Sequence, residues 1–85
     1  VSRATEVYAR EFDSVFINLP RRIRASIEAK IQGLGVRLSE YPHQRLKGRS
    51  EFRLRVGDYR IIYEFDPKKN VVYLLAVGNR REIYR

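Results

Sequence analysis

The 85-residue sequence predicts one α+β domain over residues 1–85, an N-terminal helical hairpin packed on a small, mainly antiparallel four-stranded sheet. Three observations carry this. Large apolar residues from Phe12 to Leu38 recur every three or four positions, the spacing of one helix face. From Phe52 the period changes to two, as in half-buried strands. Only Gly57-Asp58 separates two such runs, which is hairpin spacing.

The helical seam consists of Phe12, Phe16, Leu19, Ile23, Ile27, Ile31, Leu34 and Leu38. Pro20 divides it, because proline fits the first turn of a helix and not its interior. A short helix to about Asn18 and a longer one from Pro20 are therefore expected, sharing one apolar face. Gly33 and Gly35 weaken the second helix near its end, and Pro42 bars its continuation past Tyr41. Ahead of the hairpin, Thr5 to Tyr8 is weakly strand-like and suits a sheet edge.

A polar loop, Gln44 to Ser50, leads into the alternating runs Phe52–Val56 and Tyr59–Phe65. Glycine at the first central position of a two-residue connection suits a type II′ turn, which pairs Val56 with Tyr59, Arg55 with Arg60, Leu54 with Ile61 and Arg53 with Ile62. Asp66 to Asn70 makes the next turn. Val71–Val77 is nearly unbroken in apolar character, the mark of a central strand covered on both faces. The remainder, Gly78 to Arg85, is polar and basic, one helical turn or an extension.

The chain carries 18 Lys+Arg against 10 Asp+Glu, a net charge of +8. Such a surface attracts nucleic acid, anionic membrane or acidic protein. Fourteen of the 18 cations are arginine, whose planar fork grips phosphate in two places and stacks on bases, so nucleic acid is favoured. The register sharpens this. Arg53, Arg55 and Arg60 project from one face, with Arg55 and Arg60 directly opposite, a like-charge pairing that costs up to ~1 kcal/mol. An anion laid across that face relieves it; a solvated face that needs only to be polar is the plainer reading. Arg80, Arg81 and Tyr84 form a second candidate group beyond the last strand, where Tyr84 offers a stacking face and a phenol, unless it simply packs over a sheet edge.

Other chemistries find little support. Cysteine is absent, so there is no thiolate nucleophile, disulfide or cysteine metal site. His43 is the one histidine, which rules out a histidine pair, and beside Pro42 it reads as a solvated loop residue. No glycine-rich phosphate loop occurs, and the carboxylates lack metal-ligand spacing. No apolar run is long enough to span a membrane. A soluble cytoplasmic protein without a metal or small-molecule cofactor is expected.

The helix hairpin, then Arg45-Leu46-Lys47-Gly48, then Phe52-Arg53-Leu54-Arg55-Val56-Gly57-Asp58-Tyr59-Arg60-Ile61-Ile62-Tyr63, and finally Leu75-Ala76-Val77-Gly78-Asn79-Arg80-Arg81-Glu82-Ile83-Tyr84 closely resembles the RelE branch of the RelE/ParE toxin superfamily. The similarity covers essentially the whole chain. It implies a bacterial or archaeal toxin of a type II toxin–antitoxin pair, a metal-independent endoribonuclease that enters the ribosomal A site and cuts messenger RNA there. Its implied partners are a cognate antitoxin, the ribosome and mRNA, with no membrane. Matched by position, the implied catalytic residues are Arg53, Arg55, Arg60, Arg80 and Tyr84, with Arg45, Lys47, Arg49 and Arg81 as RNA contacts. The branch's reference toxin has lysine where this chain has Arg53 and Arg55, and arginine is a far poorer proton shuttle. Asn79 stands where many relatives have histidine or lysine, and Arg80 and Tyr84 lie closer together than in the reference toxin, so the general base stays open. ParE-type toxins share the fold but attack DNA gyrase, and generally lack this full basic-plus-tyrosine set.

Overall fold

The computed structural model describes residues 3–79. Strand β1 (Thr5–Tyr8) leads into helices α1 (Arg10–Phe16) and α2 (Arg21–Val36), followed by β2 (Gln44–Arg45), β3 (Phe52–Val56), β4 (Tyr59–Asp66) and β5 (Val71–Asn79). The strands form one sheet in the order β1-β5-β4-β3-β2. All neighbours are antiparallel except β1, which runs parallel to β5 along the edge.

The expected α+β architecture holds, with one strand more than the four anticipated. The addition is β2, inside what reads as a polar loop: Gln44 pairs with Arg53 and Arg45 with Phe52. Two residues are too few to show alternation, so this strand has no periodic signature.

The predicted apolar seam is the helical half of the core. Phe12, Ile27, Ile31, Leu34 and Leu38 are buried, with Phe16, Leu19 and Ile23 packed against them. Proline caps α2 at Pro20, where its missing N–H leaves nothing unsatisfied. Gly35 has a packing reason: Ala4 N–H donates to its carbonyl at 3.1 Å, and a Cβ there would lie 3.3 Å from Arg3 Cγ. The chain entering β1 thus crosses α2 close to its backbone. From the sheet, Leu54, Ile61, Tyr63, Val72, Leu74 and Val77 face this seam.

Register between β3 and β4 follows the predicted turn: Val56 faces Tyr59, Arg55 faces Arg60, Leu54 faces Ile61 and Arg53 faces Ile62. Gly57 holds φ at +59°, as the first central position of a type II′ turn requires. A valine there would sit in the left-handed region at a cost of about 1–2 kcal/mol. Gly57→Val is expected to lower the unfolding free energy by that amount, read as a fall in the urea midpoint equal to the loss divided by an unchanged m-value, while a variant as stable as the parent would mean the turn relaxes to another type.

Strand β5 departs from the expected picture in two ways. It is interior to the sheet as expected, between β1 and β4, but β4 is the middle strand, and β5 is not equally covered on both faces. Its pairing skips a residue: Ile62 faces Ala76 whereas Tyr63 faces Leu74, leaving Leu75 as the extra residue of a bulge. Val72 and Leu74 point into the core before the skip and Val77 after it. The apolar run is unbroken because the bulge swaps which alternate positions are inward. The strand also continues through Gly78 and Asn79, which pair with Arg60 and Tyr59.

Candidate functional site

The face of the sheet away from the helices carries the cluster that the hairpin register predicts. Arg53 and Arg55 on β3 are exposed, Arg60 on β4 is half-buried, and Arg55 and Arg60 stand directly opposite. With Gln44 of β2 they line a cavity of about 100 Å³. The Arg53 Nε donates to Gln44 Oε1 at 3.3 Å, and the Arg55 Nε to the Gly57 carbonyl at 3.4 Å. Neither Arg53 nor Arg55 has a carboxylate partner among the described residues. Gly78, beside Arg60, adds no side chain to this face. Three guanidinium groups around one concavity form an anion receptor, each able to bind a phosphate through two N–H groups.

Gln44 belongs to this cluster and lacks any sequence signal. It is placed through its neighbour His43, which is held in an aromatic nest and is not a solvated loop residue. The His43 ring stacks on Phe65 with centroids 4.0 Å apart and meets Phe52 edge-on. Its Nε2 lies 2.7 Å from the Leu38 carbonyl and its Nδ1 2.6 Å from the Tyr63 hydroxyl. A carbonyl only accepts, so Nε2 carries the hydrogen and the Tyr63 hydroxyl donates to Nδ1. This histidine ties the segment after α2 to the middle strand and sets where β2 begins.

The remaining loop cations are spread out. Arg45, opposite Phe52, is on the helix side of the sheet, its guanidinium 5.0 Å from the Phe52 ring centroid. Arg49 is paired with Glu51 at 3.0 Å. Lys47 is exposed in the turn before Gly48. The structure thus joins Arg53, Arg55 and Arg60 with Gln44 and keeps Arg45 and Arg49 in other contacts. Arg80, Arg81 and Tyr84 lie outside the described residues. Among those described, no three histidine or carboxylate side chains are grouped to hold a metal ion, and no helix is long and apolar enough to cross a membrane.

A family model, the ParE toxin of type II toxin–antitoxin systems, matches residues 6–84. The chain belongs to this family. It is a type II toxin with a RelE-like fold, as solved structures bear out. The RelBE2 toxin–antitoxin complex from Mycobacterium tuberculosis contains a chain 24% identical, with TM-score 0.77, covering 96% of this toxin and 97% of that chain. For the RelB–RelE complex from Methanococcus jannaschii the values are 26%, 0.71, 92% and 94%. For the isolated RelE toxin of E. coli they are 19%, 0.76, 95% and 90%. A comparison with curated proteins finds no match.

Two phenols of the toxin are perturbed. Burial pushes Tyr63 well above its ordinary value of 10.0. Burial does the same to Tyr8, helped by its hydrogen bond to the Glu6 carboxylate at 2.6 Å. The folded chain therefore keeps these protons to higher pH than the unfolded chain. That contribution to stability is complete below about pH 10 and is lost as pH rises further. Thermal unfolding should show a midpoint that falls above that pH, less steeply in the Tyr8→Phe, Tyr63→Phe double variant. An unchanged slope in the double variant would remove these phenols as the cause.

Proposed function

We propose that the toxin is an endoribonuclease acting on ribosome-bound messenger RNA, with the arginine face as its phosphate site. The observation that carries this reading is the convergence of Arg53, Arg55 and Arg60 on one cavity that, among the described residues, no carboxylate lines. Arg55 and Arg60 stand directly opposite, a pairing of like charges that a phosphate between them offsets. Likeness to a RelE structure 26% identical supports it further.

In this reading the messenger's own 2′-hydroxyl attacks the adjacent phosphorus. It gives up its proton as the bond to the 5′-oxygen breaks, and that oxygen gains one. The products are a 2′,3′-cyclic phosphate and a free 5′-hydroxyl. Arg60 and Arg80 hold the charge of the pentacoordinate transition state, where fixed donors are worth several kcal/mol. Arg53 and Arg55 hold flanking phosphates or the leaving oxygen, and Tyr84 stacks on a base or assists proton transfer. The ribosome orients the substrate, which removes much of the barrier. The partner that restrains the toxin is an acidic antitoxin, partly disordered until bound, covering the basic surface. Antitoxin complexes among the similar structures support this partner.

Primer extension on programmed ribosomes, with the same messenger alone as control, tests the reading. Cleavage at the A-site codon only with ribosomes is expected. Cleavage of free messenger would mean a ribosome-independent ribonuclease. The ParE family model favours a second reading, a non-nuclease inhibitor of DNA gyrase. Absence of cutting together with inhibition of supercoiling would select it.

A further inference from the structure

Helix α2 brings one more cation to the border of the arginine cluster, at a place no strand pattern indicates. Lys30 is exposed on α2 and lines a second cavity of about 200 Å³ together with Tyr41, Gln44, Arg53, Leu54 and Arg55. Gln44, Arg53 and Arg55 line both cavities, so the two adjoin across these side chains, a trough in two parts. At one end stands Arg60 and at the other Lys30. Between them the trough passes the outer edge of β3. There β2 pairs only with Phe52 and Arg53, which leaves Leu54–Val56 without a strand neighbour on that side among the described residues.

Among the described residues the charge along the trough has one sign: no aspartate or glutamate lines either cavity, and Lys30 has no carboxylate partner. Lys30, Arg53 and Arg55 alone, three cations over two adjoining hollows, exceed what a single phosphodiester, with one negative charge, can neutralise. They suit successive phosphates. Hollows of about 200 and 100 Å³ suit the separate phosphates and riboses of a flexible strand. Tyr41, half-buried at the wall, adds an aromatic surface beside the charges.

We infer that Lys30 holds a phosphate at a second subsite, and that a single-stranded RNA leaves the arginine face over the open edge of β3 toward α2. This rests on the RNA reading above and gives it a direction. A phosphate at Lys30 is separated from the one between Arg55 and Arg60 by Arg53 and Gln44, so the strand spans the trough and does not merely touch one end.

Fluorescence anisotropy with a labelled, short single-stranded oligouridylate, titrated at several salt concentrations, tests this on the intact toxin. Lys30→Ala should weaken binding roughly threefold and reduce the logarithmic salt slope by about 0.7, the value of one phosphate contact on a single strand. Lys30→Arg keeps the charge and should keep the slope. Lys68→Ala, in the turn between β4 and β5, should leave both unchanged. If the parent binds and Lys30→Ala matches it, the subsite is wrong while the RNA reading stands. If Lys68→Ala lowers the slope as much, the attraction is diffuse and there is no subsite. If the parent does not bind oligouridylate, the RNA reading fails and the subsite with it. Binding of polyglutamate in its place, with a slope that depends on Lys30, would assign the trough to an acidic protein.

Discussion

Arg60→Ala is expected to reduce ribosome-dependent cleavage by roughly 10²–10³-fold, the usual consequence of removing one fixed donor from developing negative charge. Arg60 is the cation on the middle strand, half-buried between Arg55 on one side and Gly78 on the other. Its position is therefore set by two ladders, whereas Arg53 and Arg55 stand nearer the sheet edge. The same substitution removes a like-charge pairing, which offsets part of the packing that the long side chain supplies. The thermal midpoint should stay within about 5 °C of the parent, since 1 kcal/mol moves a domain this small by about 4–8 °C. Arg60→Lys keeps the charge without the two-pronged fork and should fall between parent and alanine variant. Rates of A-site cleavage, read beside melting curves, decide the matter. A folded Arg60→Ala variant as toxic as the parent would sink the nuclease reading.

The largest loss of stability from a polar residue should come from His43→Ala, at about 2–4 kcal/mol. The ring stacks on Phe65, meets Phe52 edge-on, and takes part in two hydrogen bonds. Removing a packed aromatic ring costs about 3–5 kcal/mol in a full core, and His43 is only partly buried. Added to this, the Tyr63 hydroxyl and the Leu38 carbonyl are left unpaired, at about 1 kcal/mol or more each where water cannot replace the imidazole. Since small domains hold about 5–15 kcal/mol in all, this is a large share. His43→Phe separates the two parts, keeping the ring packing while leaving both polar groups unpaired. Urea unfolding of the three proteins measures it. A His43→Ala midpoint equal to the parent's would mean the nest repacks without the imidazole.

How much of this is legible in sequence depends on how local each feature is. The hairpin is readable to the residue, because a two-residue turn with glycine leading leaves one register, and that register alone puts Arg53, Arg55 and Arg60 on one face. The apolar seam is readable because its period persists through both helices. Strand β2 is not, since Gln44-Arg45 is too short to alternate and pairs only because β3 lies beside it. Consecutive residues of a strand point to opposite faces. Hence Arg45, expected among the RNA contacts, lies over Phe52 while Gln44 joins the arginines. His43 reads as solvated because its partners, Leu38, Tyr63 and Phe65, come from separate elements. Lys30 reaches the trough only through the packing of α2 on the sheet, which no strand or turn pattern encodes.

The skipped residue at Leu75 also shapes the surface relief. Were β5 to alternate without interruption, Val77 and Asn79 would stand on the arginine side and Gly78 would turn toward the helices. The skip exchanges them, so the positions next to Ile62 and Arg60 are Ala76 and Gly78, the two smallest side chains in the strand. A single supernumerary residue thereby lowers the ground beside the arginines and buries a valine in the same stroke. The depth of the basin is a matter of counting along the backbone as much as of which charges stand around its rim.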